Sequence, residues 1–192
     1  MNTEKEIRVL LVEYGKKLVD SGLVQGTWGN LSIRVDDEYM ITTPSGLDYT
    51  RLTPADMVKV NINTLEYMGA QKPTSEKGIH ASVYRMRKEV GAVIHTHSKY
   101  CAIFAAAGKD MPIEDPRMEE IFGKQVNLAA YGLPGTRKLM KNTMAALGEN
   151  FGCIMANHGM LACGKDIETA FYHCSSLEEC GRRYIDSRFD KI

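Results

Sequence analysis

The sequence has no net charge, no apolar run of membrane-spanning length, no paired cysteine motif and no lysine-bearing phosphate loop. Each absence removes a class of function. Along 192 residues, 24 Lys and Arg balance 24 Asp and Glu, and the basic residues are scattered, so the electrostatic footprint of a nucleic-acid or membrane-surface binder is missing. No stretch approaches the length that a transmembrane helix needs. The start of the chain carries Glu4 and Glu6 and leads into an amphipathic stretch, where a secretory signal would show a basic start and an apolar core. Cys101, Cys153, Cys163, Cys174 and Cys180 are odd in number and form no Cys-x-x-Cys. Neither a disulfide framework nor a thiolate zinc site is expected, and a reducing cytoplasm is the expected compartment. Repeats, low-complexity tracts and linkers are also missing, so one domain over 1–192 is expected, with small molecules or protein subunits as partners.

What is present is periodic. Ile7, Leu10, Leu11, Tyr14, Leu18 and Leu23 recur at helical spacing and predict a helix over 4–24. Alternation then predicts short strands at 31–35, 39–43 and 57–62, which as consecutive strands should pair antiparallel. Thr53-Pro-Ala-Asp56 reads as a one-turn helix with a capping box and proline at its first position. Helices are predicted over 75–88 and 99–107 on either side of a strand that ends in His95-Thr-His97. Residues 109–134 contain Pro112, Pro116, Gly132 and Pro134 and read as a loop with short elements. A helix over 135–147, strands at 151–156 and 161–164 and a long helix over 166–187 complete the chain. Helices flanking a run of strands predict an α/β sandwich with a mixed, largely antiparallel sheet.

His95 and His97 follow the apolar run Gly91-Ala-Val-Ile, and His158 follows a second one, 151–157. In a strand, residues i and i+2 point to one side, so the first pair can aim at a common point. Three imidazoles with a nearby carboxylate suit zinc or another divalent metal and leave a position for substrate. Glu76 opens the helix before the His-x-His strand, where a carboxylate commonly serves the helix end. The same residue is also the obvious base for a site that otherwise has none. His80, at i+4 from Glu76, could be a ligand or a hydrogen-bond partner of Glu76, while His173 reads as a packed or surface residue. The segments 26–32, 42–46 and 74–75 supply hydroxyls, amides and glycine backbone of the kind that can hold a phosphate without lysine.

Taken in order, Gly26-Thr-x-Gly-Asn30-Leu-Ser, Thr43-Pro-Ser-Gly46, Ser75-Glu-x-x-x-His80, His95-Thr-His97 and Asn157-His158-Gly159 resemble the class II aldolase and adducin head-domain family, in particular its L-fuculose-1-phosphate aldolase branch. The resemblance spans nearly the whole chain. It implies a three-layer α/β/α sandwich around a largely antiparallel sheet, and a homotetramer with active sites between neighbouring subunits. It implies zinc, with manganese or cobalt as alternatives, on His95, His97, His158 and Glu76, with Glu76 also the catalytic acid/base. It places a phosphate pocket at Thr27, Asn30, Ser45, Gly46, Thr74 and Ser75, and so a sugar-phosphate substrate. The implied reaction cleaves a ketose 1-phosphate to dihydroxyacetone phosphate and an aldehyde. The same resemblance covers ribulose-5-phosphate 4-epimerases, which typically carry Asp at the Glu76 position, methylthioribulose-1-phosphate dehydratases, and the adducin interaction module, which the intact His and Glu set argues against. In the fuculose branch, a neighbouring subunit's tyrosine protonates the leaving aldehyde, and by ungapped count that position falls at about Pro116, with Tyr131 further on. A C-terminal tail that closes the site in that branch is expected to be missing from a chain ending at Ile192.

Overall fold

The structure, a computed structural model, describes residues 2–189; Met1 and residues 190–192, with the expected chain end at Ile192, lie outside the described residues. Helix α1 (Glu4–Asp20) starts where Thr3 Oγ accepts from the Glu6 amide and the Glu6 carboxylate takes the Thr3 amide, a capping box. It stops short of the expected residue 24 because Gly22 turns the chain at φ 72°. Strands β1 (Gly29–Arg34), β2 (Tyr39–Thr42) and β3 (Val58–Asn61) follow as an antiparallel meander, with the expected single helical turn at Pro54–Asp56. Next come α2 (Lys77–Met86), β4 (Ala92–Thr96) and α3 (Lys99–Ala107). The irregular region resolves into β5 (Met111–Pro112), α4 (Pro116–Phe122), β6 (Gln125–Val126) and β7 (Leu128–Ala129). Helix α5 (Arg137–Leu147), β8 (Gly152–Met155), β9 (Gly159–Gly164) and the long α6 (Ile167–Phe189) end the described chain.

Seven strands form one sheet in the order β3-β2-β1-β4-β9-β8-β7, and β5 pairs with β6 apart from it. All neighbours in the large sheet are antiparallel except β7 and β8, so the sheet is mixed and largely antiparallel, as expected. Alternation along β4 divides the core. Ala92 and Ile94 join Leu11, Leu18, Phe104, Cys174 and Leu177 from α1, α3 and α6, whereas Val93 joins Ile79, Val83, Leu139 and Leu147 from α2 and α5. The result is a three-layer α/β/α sandwich. Each fully buried aliphatic side chain contributes roughly 1.5–3 kcal/mol of transfer free energy, so the two cores hold the central strands firmly. All five cysteines are free. Among the described residues, no helix is long and apolar enough to cross a membrane.

Candidate active site

The end of the sheet where β1 begins and β4 finishes carries the polar residues. His95 lies on the same face of β4 as Val93, opposite Asn30 of β1, and His97 follows two residues later, just past the strand. His95 Nδ1 stands 2.7 Å from the Met160 carbonyl of β9. A carbonyl only accepts, so this nitrogen carries the hydrogen and Nε2 faces the site. His158 sits in the turn between β8 and β9, where Asn157 adopts a left-handed φ of 54° and donates its amide to the Ala105 carbonyl at 2.9 Å. Gly159 is required by closeness: a Cβ there would lie 2.3 Å from the Thr96 carbonyl oxygen and 2.9 Å from His97 Cδ2.

Glu76 occupies the N-cap position of α2, but its side chain makes no capping hydrogen bond. The helix-end reading is therefore corrected: the carboxylate turns across the sheet to the histidines, with Oε2 3.0 Å from His95 Nε2 and Oε1 3.1 Å from His158 Nε2. His95 Nε2 and His97 Nε2 are 2.8 Å apart. One ligand atom from each of Glu76, His95, His97 and His158 lies within 4.8 Å of the others, and Glu76 and His95 are only 6% and 1% exposed. Burial pushes the Glu76 carboxyl up, but His95, His158 and Asn30 against it outweigh burial and hold it well below the usual carboxylate range. Burial, with His95 and His158 beside it, brings His97 down to about 4.

With Nδ1 turned to the Met160 carbonyl, His95 Nε2 faces another imidazole nitrogen and a carboxylate, a contact that a shared proton or a metal ion satisfies. Glu76 Oε1 is buried without a hydrogen-bond partner, and three imidazoles with one carboxylate form the donor set that divalent zinc, manganese or cobalt accepts. The residues fit a divalent cation.

His80 is neither a ligand nor a partner of the Glu76 side chain. Fully buried, it stands 2.5 Å from Asn30 Oδ1 through Nε2 and 2.7 Å from Ser32 Oγ through Nδ1. Asn30 in turn donates Nδ2 to Glu76 Oε2 at 3.0 Å. Burial, then the neighbouring His95, brings His80 down to about 3 despite the opposing Glu76 charge, so it is neutral. His173 is packed, as expected: its Nδ1 donates to the Cys163 carbonyl at 2.7 Å.

Three loops meet beside this cluster. Pro44 bridges Pro73, the Ser45 amide donates to the Lys72 carbonyl and the Thr74 amide to the Thr43 carbonyl. Ser45 and Gly46 are thereby set beside Thr74 and Ser75, and Leu31 ties the first loop to them through Thr43. Thr27, Ser45, Gly46 and Ser75 are exposed, whereas Thr74 and Asn30 are buried. Pro116 opens α4 and Tyr131 is half exposed. Tyr84 is a site residue that the sequence reading passes over, and Ser32 and Trp28, read there only as part of the 26–32 segment, take other parts. Ser32 is at i+2 from Asn30 on β1 and Tyr84 at i+4 from His80 on α2, two spacings that could have marked them. Trp28 is 63% exposed, its ring centroid 6.3 Å from that of His97.

Residues 9–185 match the family described as Class II Aldolase and Adducin N-terminal domain. The chain is 33% identical over 189 residues to a 5-deoxy-D-ribulose 1-phosphate aldolase of Bacillus thuringiensis serovar kurstaki, covering 98% of this chain and 88% of that one. It is 33% identical over 174 residues to a 5-methylthioribulose-1-phosphate/5-deoxyribulose-1-phosphate aldolase of Rhodospirillum rubrum, covering 91% and 78% respectively. Among solved structures it resembles an L-fuculose 1-phosphate aldolase, with a TM-score of 0.90, 32% identity and coverage of 95% of this chain and 86% of that one.

Proposed function

Because the chain belongs to the class II aldolase and adducin N-terminal domain family, we propose that it is a metal-dependent aldolase acting on a ketose 1-phosphate. The products are dihydroxyacetone phosphate and an aldehyde, and L-fuculose 1-phosphate and its 5-deoxypentulose analogues are the substrates it would take. The observation that carries this reading is the convergence of Glu76, His95, His97 and His158 at the sheet end where the three loops meet. In this reading those four residues hold zinc, with manganese or cobalt as substitutes. The ion when bound supplies Lewis acidity toward the carbonyl and adjacent hydroxyl oxygens of the ketose.

Thr27, Asn30, Ser45, Gly46, Thr74 and Ser75 form the phosphate pocket, through hydroxyl, amide and backbone N–H groups. Holding the phosphate there fixes the C3–C4 bond relative to Glu76 and removes the orientational cost from the bond-breaking step. As that bond breaks, the C4 hydroxyl loses a proton and becomes the aldehyde, and C3 gains one. Glu76, held ionised by His95, His158 and Asn30 against it, is the group that shuttles this proton. Trp28 beside His97 gives the mouth an apolar wall and favours an aldehyde with a deoxy or thioether end. The reading includes a cytoplasmic homotetramer with sites between neighbouring subunits, in which a neighbour would cover the exposed Tyr131 and Leu133 on the loop before α5.

The test is a retro-aldol assay over fuculose, rhamnulose, ribulose, deoxyribulose and methylthioribulose 1-phosphates, scored by release of dihydroxyacetone phosphate. Release from one or more of them is expected. Epimerisation of ribulose 5-phosphate with no such release would replace the aldolase reading.

A further inference from the structure

A hydrogen-bonded chain runs from Glu76 into the buried layer between β1 and α2, and an ionised carboxylate at its head sets the direction of the first links. The Glu76 carboxylate only accepts, so Asn30 meets Oε2 with its Nδ2 amide, 3.0 Å away. The amide oxygen of Asn30 therefore points the other way, 2.5 Å from His80 Nε2. That oxygen also only accepts, so His80 carries its hydrogen on Nε2. The neutral ring then presents a bare Nδ1, which accepts from Ser32 Oγ at 2.7 Å. The Tyr84 hydroxyl, 2.8 Å from Ser32 Oγ and 3.0 Å from the Ser32 carbonyl, closes the chain. Asn30 is 6% exposed, and His80 and Ser32 are fully buried, so bulk water does not reach the chain.

Rotating the Asn30 amide by half a turn would set its oxygen against the carboxylate in a buried site, a mismatch of about 1–3 kcal/mol, and would break the Oδ1 contact with the His80 N–H unless the ring exchanged tautomer. We infer that His80 is a positioning residue that locks the Asn30 amide and thereby makes the two oxygens of Glu76 unequal. Each oxygen has one imidazole nitrogen near it, His95 at 3.0 Å from Oε2 and His158 at 3.1 Å from Oε1, and only Oε2 also receives the Asn30 amide. His80 touches no reacting atom; it acts through Asn30. The inference rests on the proposed acid/base role of Glu76.

Two polar substitutions separate positioning from packing. His80→Gln puts an amide NH2 where Nε2 stands and keeps the donor to Asn30, whereas His80→Asn places its amide toward Ser32 and leaves Asn30 Oδ1 bare. In metal-free protein, the Asn30 side-chain amide should give one hydrogen-bonded, exchange-protected proton in the NMR spectrum of wild type and His80→Gln, and none in His80→Asn. In metal-loaded protein, His80→Asn should lower kcat by roughly 10–100-fold, the scale of outer partners at metal sites, with KM within about twofold, and His80→Gln should recover most of it. An unprotected Asn30 amide in wild type, or equal protection and equal kcat in the two variants, overturns the inference. Should wild type cleave no ketose 1-phosphate, the functional reading fails on its own, and the Asn30 proton still decides the positioning.

Discussion

Replacing Glu76 with glutamine alters one charge and one proton while leaving the length of the side chain unchanged, which makes Glu76→Gln the sharpest probe of the site. The Asn30 donor, 3.0 Å from Oε2, requires the glutamine carbonyl oxygen at that position. The new NH2 therefore lands at the Oε1 position, 3.1 Å from His158 Nε2, and donates to it. Two losses follow. The amide cannot take up a proton, and general acid–base groups contribute about 10²–10⁴ in rate, or about 2.7–5.4 kcal/mol of barrier. It also occupies a ring nitrogen that would otherwise face the metal, so metal affinity falls, while the phosphate loops are untouched and a phosphate ligand should bind as before. The assay couples dihydroxyacetone phosphate release to its reduction by NADH, alongside metal analysis and phosphate-ligand calorimetry on the same preparation. Undiminished cleavage by a fully loaded variant would refute the acid/base role. So would a loss that disappears on adding excess metal, because Glu76 would then be a ligand and nothing more.

Chelation should lower the melting temperature: a ligand at about 1,000 times its Kd adds about 4.1 kcal/mol, which for a chain of this size is roughly 8–16 °C, and zinc should restore it. Identical melts with and without chelator would count against any metal. Gly159→Ala forces a Cβ onto the Thr96 carbonyl and the His97 ring, so a destabilisation of about 1–3 kcal/mol and weaker metal binding in chelator competition are expected; unchanged values would show the strand can yield. Trp28→Ser should shift kcat/KM by roughly 10-fold from deoxy or thioether aldehydes toward polyhydroxylated ones, measured as a ratio over paired substrates, and a constant ratio would remove Trp28 from specificity. His80, held at about 3 by burial against an ordinary 6.5, binds a proton in the unfolded chain before the folded one. Its contribution to stability is present above pH 6.5 and is lost as the pH falls toward 3, at up to about 1.4 kcal/mol per unit, and denaturant titrations of metal-free His80→Gln should show a shallower acid slope.

The His95 and His97 pair is readable from the chain because a strand has a period of two and the apolar run marks the strand. His158 is readable for the same reason of context, a histidine closing a second such run. Glu76 is ambiguous in sequence, since first-turn carboxylates commonly serve helix ends; only the packing of α2 across β1 and β4 shows that its side chain leaves the helix. His80 has the right spacing to face Glu76 but meets Asn30 instead, because the strand residue reaches into the gap first. Strands β5, β6 and β7 have two residues each, too few to express any period. The parallel pairing of β7 with β8 joins distant segments and leaves no local mark. Ser32 and Tyr84 share a face with Asn30 and His80 by spacing, but that the two faces meet is decided by packing.

The four candidate ligands are contributed by α2, β4, the residue just after it and the β8–β9 turn, and this spread orders events in the life of the chain. During synthesis, Glu76, His95 and His97 emerge well before His158, so the set stays one ligand short until late. The complete set comes into being when β9 zips onto β4 and carries His158 into place, a step driven by the apolar faces of those strands. A small zinc-dependent module must find its ion in order to fold; two apolar cores hold the strands here, and on the proposed reading the ion would join a sheet already formed.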